Sequence, residues 1–192
     1  MTASTLYLVR HGETEWSRDG RHTSTTDLPL TAAGEQTARA LAPTLARQDF
    51  DLVLTSPRRR ARHTAELAGF PDAQDEPDLA EWDYGDYEGV TTPQIRETVP
   101  DWTIWTHPVP GGETAADVAT RLDRVVERVR SVEGTVLVFA HGHSLRALTA
   151  RWLGLEVAEG RHFLLDTATV SVLGDDRGQS VVERWNVTAG GD

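Results

Sequence analysis

Apolar residues along this chain gather in short runs that alternate with longer segments of helical spacing. The runs at 6–9, 51–55 and 136–140 contain few polar residues, which is typical of strands buried on both faces of a sheet. The run at 51–55 leads through Ser56 and Pro57 into a helical pattern at 58–68, where serine caps a helix and proline starts it. These segments predict three strands and one helix.

Three more segments repeat apolar residues with the period of an α-helix. The first spans 31–47, with Thr31 as its cap, and Pro43 is expected to kink or shorten it. The second spans 113–132 and the third 144–153. Between 72 and 112, prolines, glycines and tryptophans predict a loop region with a short helix at 93–99, and such an excursion can roof a pocket.

The last part of the chain predicts a β-hairpin, with strands at 169–173 and 181–185 around a turn at 174–178. Neither an internal repeat nor a linker interrupts the pattern, so the sequence predicts a single domain over residues 1–192. Strands that alternate with helices are typical of α/β proteins. We therefore expect a three-layer α/β/α sandwich with a mostly parallel central sheet.

Charged and histidine side chains follow directly after two of the predicted strands. Arg10-His11-Gly12-Glu13-Thr14 follows the first strand, and His141-Gly142-His143 follows the run at 136–140. Active sites of α/β proteins lie at the carboxyl ends of strands, so we expect both histidines in one pocket. Glycine beside each histidine allows a tight turn and a close approach of the backbone to a ligand. This arrangement suits an oxyanion.

Composition excludes several kinds of chemistry. The chain has no cysteine, which excludes disulfides, thiolate metal sites and a cysteine nucleophile. All nineteen residues of the combined lysine and arginine count are arginine, which also excludes a P-loop lysine and a Schiff base. The remaining candidates for nucleophilic or acid–base chemistry are histidine, carboxylate and hydroxyl groups.

Charge and hydropathy bear on partners and location. The formal net charge of -11 argues against nucleic acid and anionic membrane surfaces as partners. No stretch reaches the apolar length of a membrane span. Residues 1–5 carry neither a basic patch nor a long apolar segment, so we expect no secretory signal and a cytoplasmic protein. The partner we expect is a small anionic molecule that meets locally concentrated arginines.

Five ordered blocks of residues cover nearly the whole chain and resemble the motifs of the histidine phosphatase superfamily, the phosphoglycerate mutase-like group. The blocks are Leu8-Val9-Arg10-His11-Gly12-Glu13-Thr14-Glu15-Trp16, Thr55-Ser56-Pro57-Arg58-Arg59-Arg60-Ala61, Glu81-Trp82-Asp83-Tyr84-Gly85-Asp86-Tyr87-Glu88-Gly89, Gly112-Glu113-Thr114 and Phe139-Ala140-His141-Gly142-His143. Gly20-Arg21-His22-Thr23 and Phe163-Leu164-Leu165-Asp166 are similar to the sedoheptulose bisphosphatase and actinobacterial acid phosphatase members. The resemblance implies a phosphoglycerate mutase-like fold and chemistry without metal or cofactor.

The chemistry that fits these residues is phosphoryl transfer to an imidazole. Neutral His11 is the expected nucleophile, and Arg10 and Arg60 offer planar cations to the phosphoryl oxygens. His141, if protonated, would add a further donor. Glu81 is the expected acid for the leaving oxygen and then the base for water, with Glu88 as the alternative.

The resemblance also implies a set of substrate-binding residues, and several functions stay open. The substrate-binding residues are Thr14, Ser17, Thr23, Ser24, Tyr84 and Arg146. Arg146 matches a position that holds a second phosphate, although it could also be an exposed helix residue. The expected substrates are small phosphorylated metabolites, such as sugar phosphates or bisphosphates. The oligomeric state is not fixed by the sequence, and a homodimer is one arrangement that it allows.

Parts of the sequence are also compatible with three alternatives to a phosphatase. A phosphoglycerate mutase is disfavoured because the segment after Glu81 is short and the chain lacks the lysine that mutases carry there. A metal-dependent hydrolase would use His11, His141 and His143 with nearby carboxylates, but Arg10 and Arg60 would repel the cation. A non-catalytic binder of phosphorylated ligands is disfavoured because every expected nucleophile, acid and base is present. The sequence therefore favours a metal-independent phosphatase.

Overall fold

The apolar runs form the strands of one six-stranded sheet. In the computed structural model, which describes residues 4–190, the strands are β1 (Thr5–Arg10), β2 (Leu52–Thr55), β3 (Gln74–Asp75), β4 (Thr135–Ala140), β5 (Thr169–Asp176) and β6 (Gln179–Thr188). Residues 1–3, on which the expectation about a secretory signal partly rests, and residues 191–192 lie outside the described residues.

The strand order is β3-β2-β4-β1-β5-β6, and the first four strands of this order run parallel. Strand β5 pairs antiparallel with β1 and with β6, so the predicted hairpin forms one edge of the sheet. The register pairs Arg10 at the end of β1 with Ala140 at the end of β4. The two predicted strand ends therefore lie side by side, and the mostly parallel α/β sheet is confirmed.

The helices are α1 (Glu15–Asp19), α2 (Ala32–Ala40), α3 (Ala42–Leu45), α4 (Arg59–Leu67), α5 (Thr92–Arg96), α6 (Ala115–Arg130) and α7 (Gly142–Trp152). The predicted segment 31–47 is divided into α2 and α3, because Pro43 is tolerated only in the first turn of a helix and starts a new one. The short helix predicted at 93–99 begins and ends earlier, since Thr91 and Gln94 form a capping box that fixes its start.

Two apolar cores, one on each face of the sheet, make the three layers. Leu6 and Leu8 of β1 join a core that contains residues of α6 and α7, such as Leu122 and Leu148. Val9, one position along from Leu8, joins the second core with Leu45 of α3 and Ala65 of α4. Because side chains alternate across a strand, each central strand contributes to both cores. The three-layer prediction is confirmed.

The region between 72 and 112 was only partly anticipated. It contains β3, two single 3-10 turns at Pro77–Leu79 and Gly85–Tyr87, and α5. Strand β3 was not predicted, because its two residues are exposed and polar and carry no apolar pattern. Among residues 4–190, no helix combines the length and the apolar character needed to cross a membrane.

Candidate active site

A cleft of about 260 Å³ opens at the carboxyl ends of β1 and β4. His11 follows β1, His141 follows β4, and their ring centroids are 5.2 Å apart. The expected site residues that line the cleft are Arg10, His11, Thr14, Ser17, Thr23, Glu81, Tyr84 and Arg146. Arg60, His141 and Ser24 are buried and do not belong to this lining.

The ring of His11 has one nitrogen engaged and one available. Its Nδ1 lies 2.7 Å from the carbonyl oxygen of Gly12, so Nδ1 carries the proton and donates it to that oxygen. Burial, and after it the positive charges of Arg60 and Arg10, hold the pKa of His11 well below its ordinary value. The imidazole is therefore neutral, and its Nε2 has the lone pair that a nucleophile needs.

Arg10 presents an unsatisfied donor at the same place. Its Nη1 donates to the carbonyl oxygen of Leu165 at 2.5 Å, whereas its Nε is buried without a hydrogen-bond partner among the described residues. The guanidinium lies against Gly142, where an added Cβ would come within 3.3 Å of it. A buried N–H without a partner is costly. An anionic oxygen bound beside His11 would remove that cost.

Arg60 lies behind the cleft and is fully buried. Its Nε donates to Nδ1 of His141 at 3.1 Å, and its terminal nitrogens donate to the carbonyl oxygens of Thr26 at 3.0 Å and Thr23 at 3.1 Å. These hydrogen bonds join α4 to the loop at 23–26. Arg60 therefore holds one wall of the cleft while adding positive charge near His11.

His141 is engaged at both ring nitrogens. Nδ1 accepts from Arg60, and Nε2 lies 2.7 Å from Oγ of Ser56. Burial, followed by the charge of Arg60, holds the pKa of His141 well below its ordinary value. In this arrangement a neutral His141 donates from Nε2 to Oγ of Ser56, and a protonated His141 that contributes a donor to the phosphoryl group stays a prediction. The role of Ser56 was not anticipated.

Glu81 reaches the cleft from the loop after the first 3-10 turn. Its Oε1 accepts the backbone N–H groups of Trp82 at 2.9 Å and Ser144 at 2.7 Å, and its Oε2 accepts that of His143 at 3.0 Å. His143 and Ser144 belong to the first turn of α7, where backbone N–H groups lack partners within the helix. The amino end of α7 thus fixes the carboxyl group at the edge of the cleft.

Glu88 holds a loop and does not line the cleft. Its carboxylate accepts hydrogen bonds from the backbone N–H and the hydroxyl of Ser24 and from the backbone N–H of Thr26. Burial works to raise the pKa of Glu88, but these hydrogen bonds outweigh it and hold the pKa below the ordinary value. The geometry thus favours Glu81 over Glu88 as the acid, and the hydroxyl of Ser24 faces Glu88.

Thr14 and Ser17 line the cleft and also form the capping box of α1. The Thr14 hydroxyl accepts the backbone N–H of Ser17, and the Ser17 hydroxyl accepts that of Thr14. Thr23 lines the cleft beside them and donates its hydroxyl hydrogen to the carbonyl oxygen of Arg21. Ser17 and Thr23 donate their hydroxyl hydrogens to carbonyl oxygens, whereas the Thr14 hydroxyl only accepts among residues 4–190, so it can still donate its hydrogen to an anionic oxygen.

A cluster of neutral rings forms another wall of the cleft. The Tyr84 hydroxyl lies 2.5 Å from Nδ1 of His143, and the His22 ring stacks on Tyr84 with centroids 4.6 Å apart. Burial lowers the pKa of His22 to about 4 and holds that of His143 well below its ordinary value. Burial also raises the pKa of Tyr84 well above the usual value. All three groups are uncharged near neutral pH.

Arg146 extends from α7 to the rim of the cleft. Its guanidinium lies 4.7 Å from the ring centroid of Trp105, and it donates to the carbonyl oxygens of Gly160 and Arg161, both at 3.1 Å. The alternative of a freely exposed helix residue does not describe this partly buried, stacked side chain. Its orientation toward the cleft leaves Nη1 for an anion, and a second phosphate there remains a prediction.

Two glycines pack backbone against backbone next to His11. A Cβ on Gly12 would lie 2.5 Å from the carbonyl oxygen of Gly34 in α2, which is closer than real Cβ contacts. The Gly12 N–H donates to Oγ1 of Thr64 in α4. Sequence reasoning missed Gly34, although a glycine inside a helical pattern is a signal of close packing.

Residues 4–190 contain no group of three or more His, Asp or Glu side chains that could hold a metal ion, so the metal-hydrolase alternative has no ligand set there. The imidazoles that it requires have other partners. His141 is bound by Arg60 and Ser56, and His143 lies 2.5 Å from the Tyr84 hydroxyl.

Known proteins are similar to this chain along most of its length. The family model of the histidine phosphatase superfamily (branch 1) matches residues 6–188. The chain is 46% identical over 179 residues to an acid phosphatase of Mycobacterium tuberculosis, covering 90% of this chain and 87% of that protein. It is 35% identical over 202 residues to sedoheptulose 1,7-bisphosphatase of Saccharomyces cerevisiae, covering 88% and 74%.

Solved structures and other relatives extend the likeness. The solved structure of an open-reading-frame product from Mycobacterium tuberculosis superposes with a TM-score of 0.92 at 43% identity, covering 97% of this chain and 98% of that one. A 2,3-bisphosphoglycerate-dependent phosphoglycerate mutase of Methylorubrum extorquens is 37% identical over 183 residues, covering 81% of this chain and 85% of that protein. Relatives thus include phosphatases and mutases.

Proposed function

The chain belongs to the histidine phosphatase superfamily, branch 1, and from that premise we propose that it is a metal-independent phosphatase of small phosphorylated metabolites. The reaction proceeds through a phosphohistidine at His11. The observation that carries the proposal is the state of that ring, which is neutral, fixed through Nδ1 by Gly12 and free at Nε2. Beside it lies the unpartnered, buried Nε of Arg10.

In the first step, Nε2 of His11 attacks phosphorus while the bond from phosphorus to the ester oxygen breaks. The bonding electrons leave with that oxygen, which takes a proton from Glu81. Arg10 stabilises the oxygens of the transferring group, and Arg60 adds positive charge from behind. The resulting imidazolium is tolerated because it now carries the anionic phosphoryl group.

In the second step, water attacks the phosphorus atom of phosphohistidine. Glu81, now ionised, takes a proton from that water as the bond between phosphorus and Nε2 breaks. Inorganic phosphate leaves, and both His11 and Glu81 return to their starting protonation states. One carboxyl group thus serves both half-reactions.

The cleft supports small hydroxylated phosphate esters as substrates, such as sugar phosphates or bisphosphates. Its volume of about 260 Å³ lies just below the range of about 300 to 1,000 Å³ that is typical of ligand pockets, which favours a small substrate. Beyond the phosphoryl site, Tyr84, His22 and His143 offer uncharged hydrogen-bonding groups. Such uncharged groups suit the hydroxyl groups of a sugar better than a carboxylate group on the substrate.

The proposed location and partners follow the same chemistry. The net charge of -11 supports a small phosphorylated molecule as the partner, rather than nucleic acid or an anionic membrane, and we propose the cytoplasm as the location. A homodimer is the oligomer to test first, by measuring the mass of the purified protein in solution.

Trapping the intermediate tests the proposal. A phosphorylated substrate with labelled phosphorus, quenched within one turnover, should leave acid-labile and base-stable label on the wild-type protein. His11→Asn should carry no label and release no phosphate, whereas His63→Asn, on the surface of α4, should behave as the wild type. Full turnover by His11→Asn would overturn the mechanism.

Two further measurements separate phosphatase from its alternatives. A chelator should leave the rate unchanged, whereas a metal-dependent hydrolase would lose activity. With 3-phosphoglycerate and a bisphosphorylated primer, a phosphatase releases inorganic phosphate, whereas a mutase converts the isomer without releasing it. Binding of phosphorylated ligands without either product would indicate a non-catalytic binder.

A further inference from the structure

The loop that carries Glu81 is held by an ion pair that lies outside the cleft lining. Arg121 of α6 and Glu113 form a two-pronged pair, with Nε to Oε1 at 2.7 Å and Nη2 to Oε2 at 2.9 Å. The Arg121 side chain is only 10% exposed. Neither residue lines the cleft, so neither meets the substrate.

Both residues of this ion pair also form hydrogen bonds with the backbone on either side of Glu81. Nη1 of Arg121 donates to the carbonyl oxygens of Asp78 at 2.7 Å and Ala80 at 2.8 Å. Oε2 of Glu113 accepts the backbone N–H of Asp83 at 2.9 Å, and the Glu113 N–H donates to the Asp83 carbonyl oxygen at 3.1 Å. The chain is thus fixed immediately before Glu81 and two residues after it.

Trp82, which lies between these two anchored positions, adds a further hydrogen bond through its indole ring. Nε1 of the buried Trp82 donates to the carbonyl oxygen of Glu113 at 2.9 Å. The Glu81 side chain itself is bound by backbone N–H groups at the start of α7. The loop at 80–83 is therefore held at two places. The Glu81 carboxyl group binds the start of α7, and the loop backbone binds the Glu113–Arg121 pair.

We propose that Glu113 and Arg121 are positioning residues that place the Glu81 carboxyl group for proton transfer. The proposal rests on the proposed function, because it assumes that Glu81 is the acid. Functional groups must be held within about 0.5 Å of their productive positions. A displacement of about 1 Å, even from a distant change, can cost about a hundredfold in rate.

A positioning role predicts a defect that depends on the leaving group. An alkyl phosphate expels a basic alkoxide and needs the proton from Glu81, whereas an activated aryl phosphate expels a stable phenolate and needs it little. Misplacing Glu81 should therefore slow phosphorylation of His11 by alkyl esters and spare aryl esters. General loss of folded structure would slow both esters equally.

The test compares Glu113→Gln, Arg121→Lys and Glu81→Gln in single turnovers on both ester types. Glu113→Gln keeps the size of the side chain but removes an acceptor, and Arg121→Lys keeps the charge but loses the two-pronged contact. We expect each to slow the alkyl ester about 10- to 100-fold and the aryl ester less than about threefold. Rates are taken below the unfolding temperature of every variant.

The double variant Glu81→Gln/Glu113→Gln gives the sharper readout. Once Glu81 can no longer donate a proton, removing its support should not lower the rate on the alkyl ester any further. The two defects in rate should therefore not be additive. Glu127→Gln is the matched control, because Glu127 is an exposed carboxylate on the same helix, α6. It should leave the rates of both esters unchanged.

The outcomes separate the two proposals. If Glu81→Gln slows both esters equally, Glu81 is not the acid and the proposed mechanism fails at that step. If Glu81→Gln is selective for alkyl esters but Glu113→Gln and Arg121→Lys slow both esters equally or not at all, the positioning role is overturned. Additive defects in the double variant would overturn it as well.

Discussion

Arg60 donates its Nε–H to Nδ1 of His141 across 3.1 Å, in a region closed to solvent. The contact places a permanent cation against a neutral imidazole, and it explains in part why the pKa of His141 is held low. The same guanidinium binds the carbonyl oxygens of Thr23 and Thr26. One side chain therefore connects the second histidine to the wall of the cleft.

Arg60→Lys should lower kcat/KM about 100-fold or more, although the charge is kept, because an ammonium group cannot reach His141 and two loop carbonyls together. Steady-state kinetics on one phosphate ester measures the effect. The adjacent Arg59→Lys, on the exposed side of α4, serves as control and should match the wild type. Near-normal activity of Arg60→Lys would contradict the role given to its planar fork.

Glu88→Gln should slow alkyl and aryl phosphates by the same factor, because Glu88 holds Ser24 and Thr26 and lies outside the cleft lining. Loss of the charged acceptor should also lower the free energy of unfolding by about 1 to 3 kcal/mol at neutral pH. Since hydrogen bonds hold the folded pKa of Glu88 down, this contribution is present above the unfolded pKa and is lost as pH falls.

Urea unfolding and single-turnover rates measure the two effects of Glu88→Gln. The exposed Glu97→Gln is the control and should change neither. A defect confined to alkyl esters would instead identify Glu88 as the acid.

Arg146→Ala should raise KM for sugar bisphosphates about tenfold and leave KM for monophosphates nearly unchanged, as expected for one lost charge-assisted hydrogen bond. The comparison requires a bisphosphate and a monophosphate of the same sugar. Arg151→Ala removes a charge from α7 where the side chain pairs with Asp123, and it should not discriminate between the two substrates. Equal effects of Arg146→Ala on both substrates would assign Arg146 to packing against Trp105.

Stability should decrease as pH falls below about 6.5, the ordinary pKa of histidine. Burial lowers the pKa of His22 in the folded protein to about 4. Between about pH 6.5 and about pH 4, His22 is therefore protonated in the unfolded chain and neutral in the folded protein, which favours unfolding. At about pH 5 this one group should cost about 2 kcal/mol. His11, His141 and His143 shift in the same direction.

Urea unfolding at about pH 7.5 and about pH 5 measures this dependence. His22→Gln should reduce the difference between the two free energies of unfolding, whereas the exposed His162→Gln should preserve it. An unchanged difference in His22→Gln would show that His22 takes up its proton without unfolding.

Local sequence patterns were enough to predict the layers of the fold and to place His11 at the end of a strand. Apolar runs and helical spacing are local patterns, and they identified β1, β4, α4, α6 and the hairpin without reference to distant residues. Because parallel strands end at the same edge of a sheet, the motifs after β1 and β4 also placed His11 and His141 together. Strand β3 could not be predicted in this way, because its two exposed residues form no periodic apolar pattern.

The pairing of the polar groups around His11 depends on the tertiary structure. Ser24 binds Glu88 across 64 positions, and Arg60 binds His141 across 81. The sequence contained the same residue types in the same motifs, but it could not show that Arg60 donates to His141 and to two loop carbonyl oxygens, or that His141 pairs with Ser56. A buried polar group must take whichever partner the packed loops bring within hydrogen-bonding distance, and that choice depends on the whole fold rather than on local spacing.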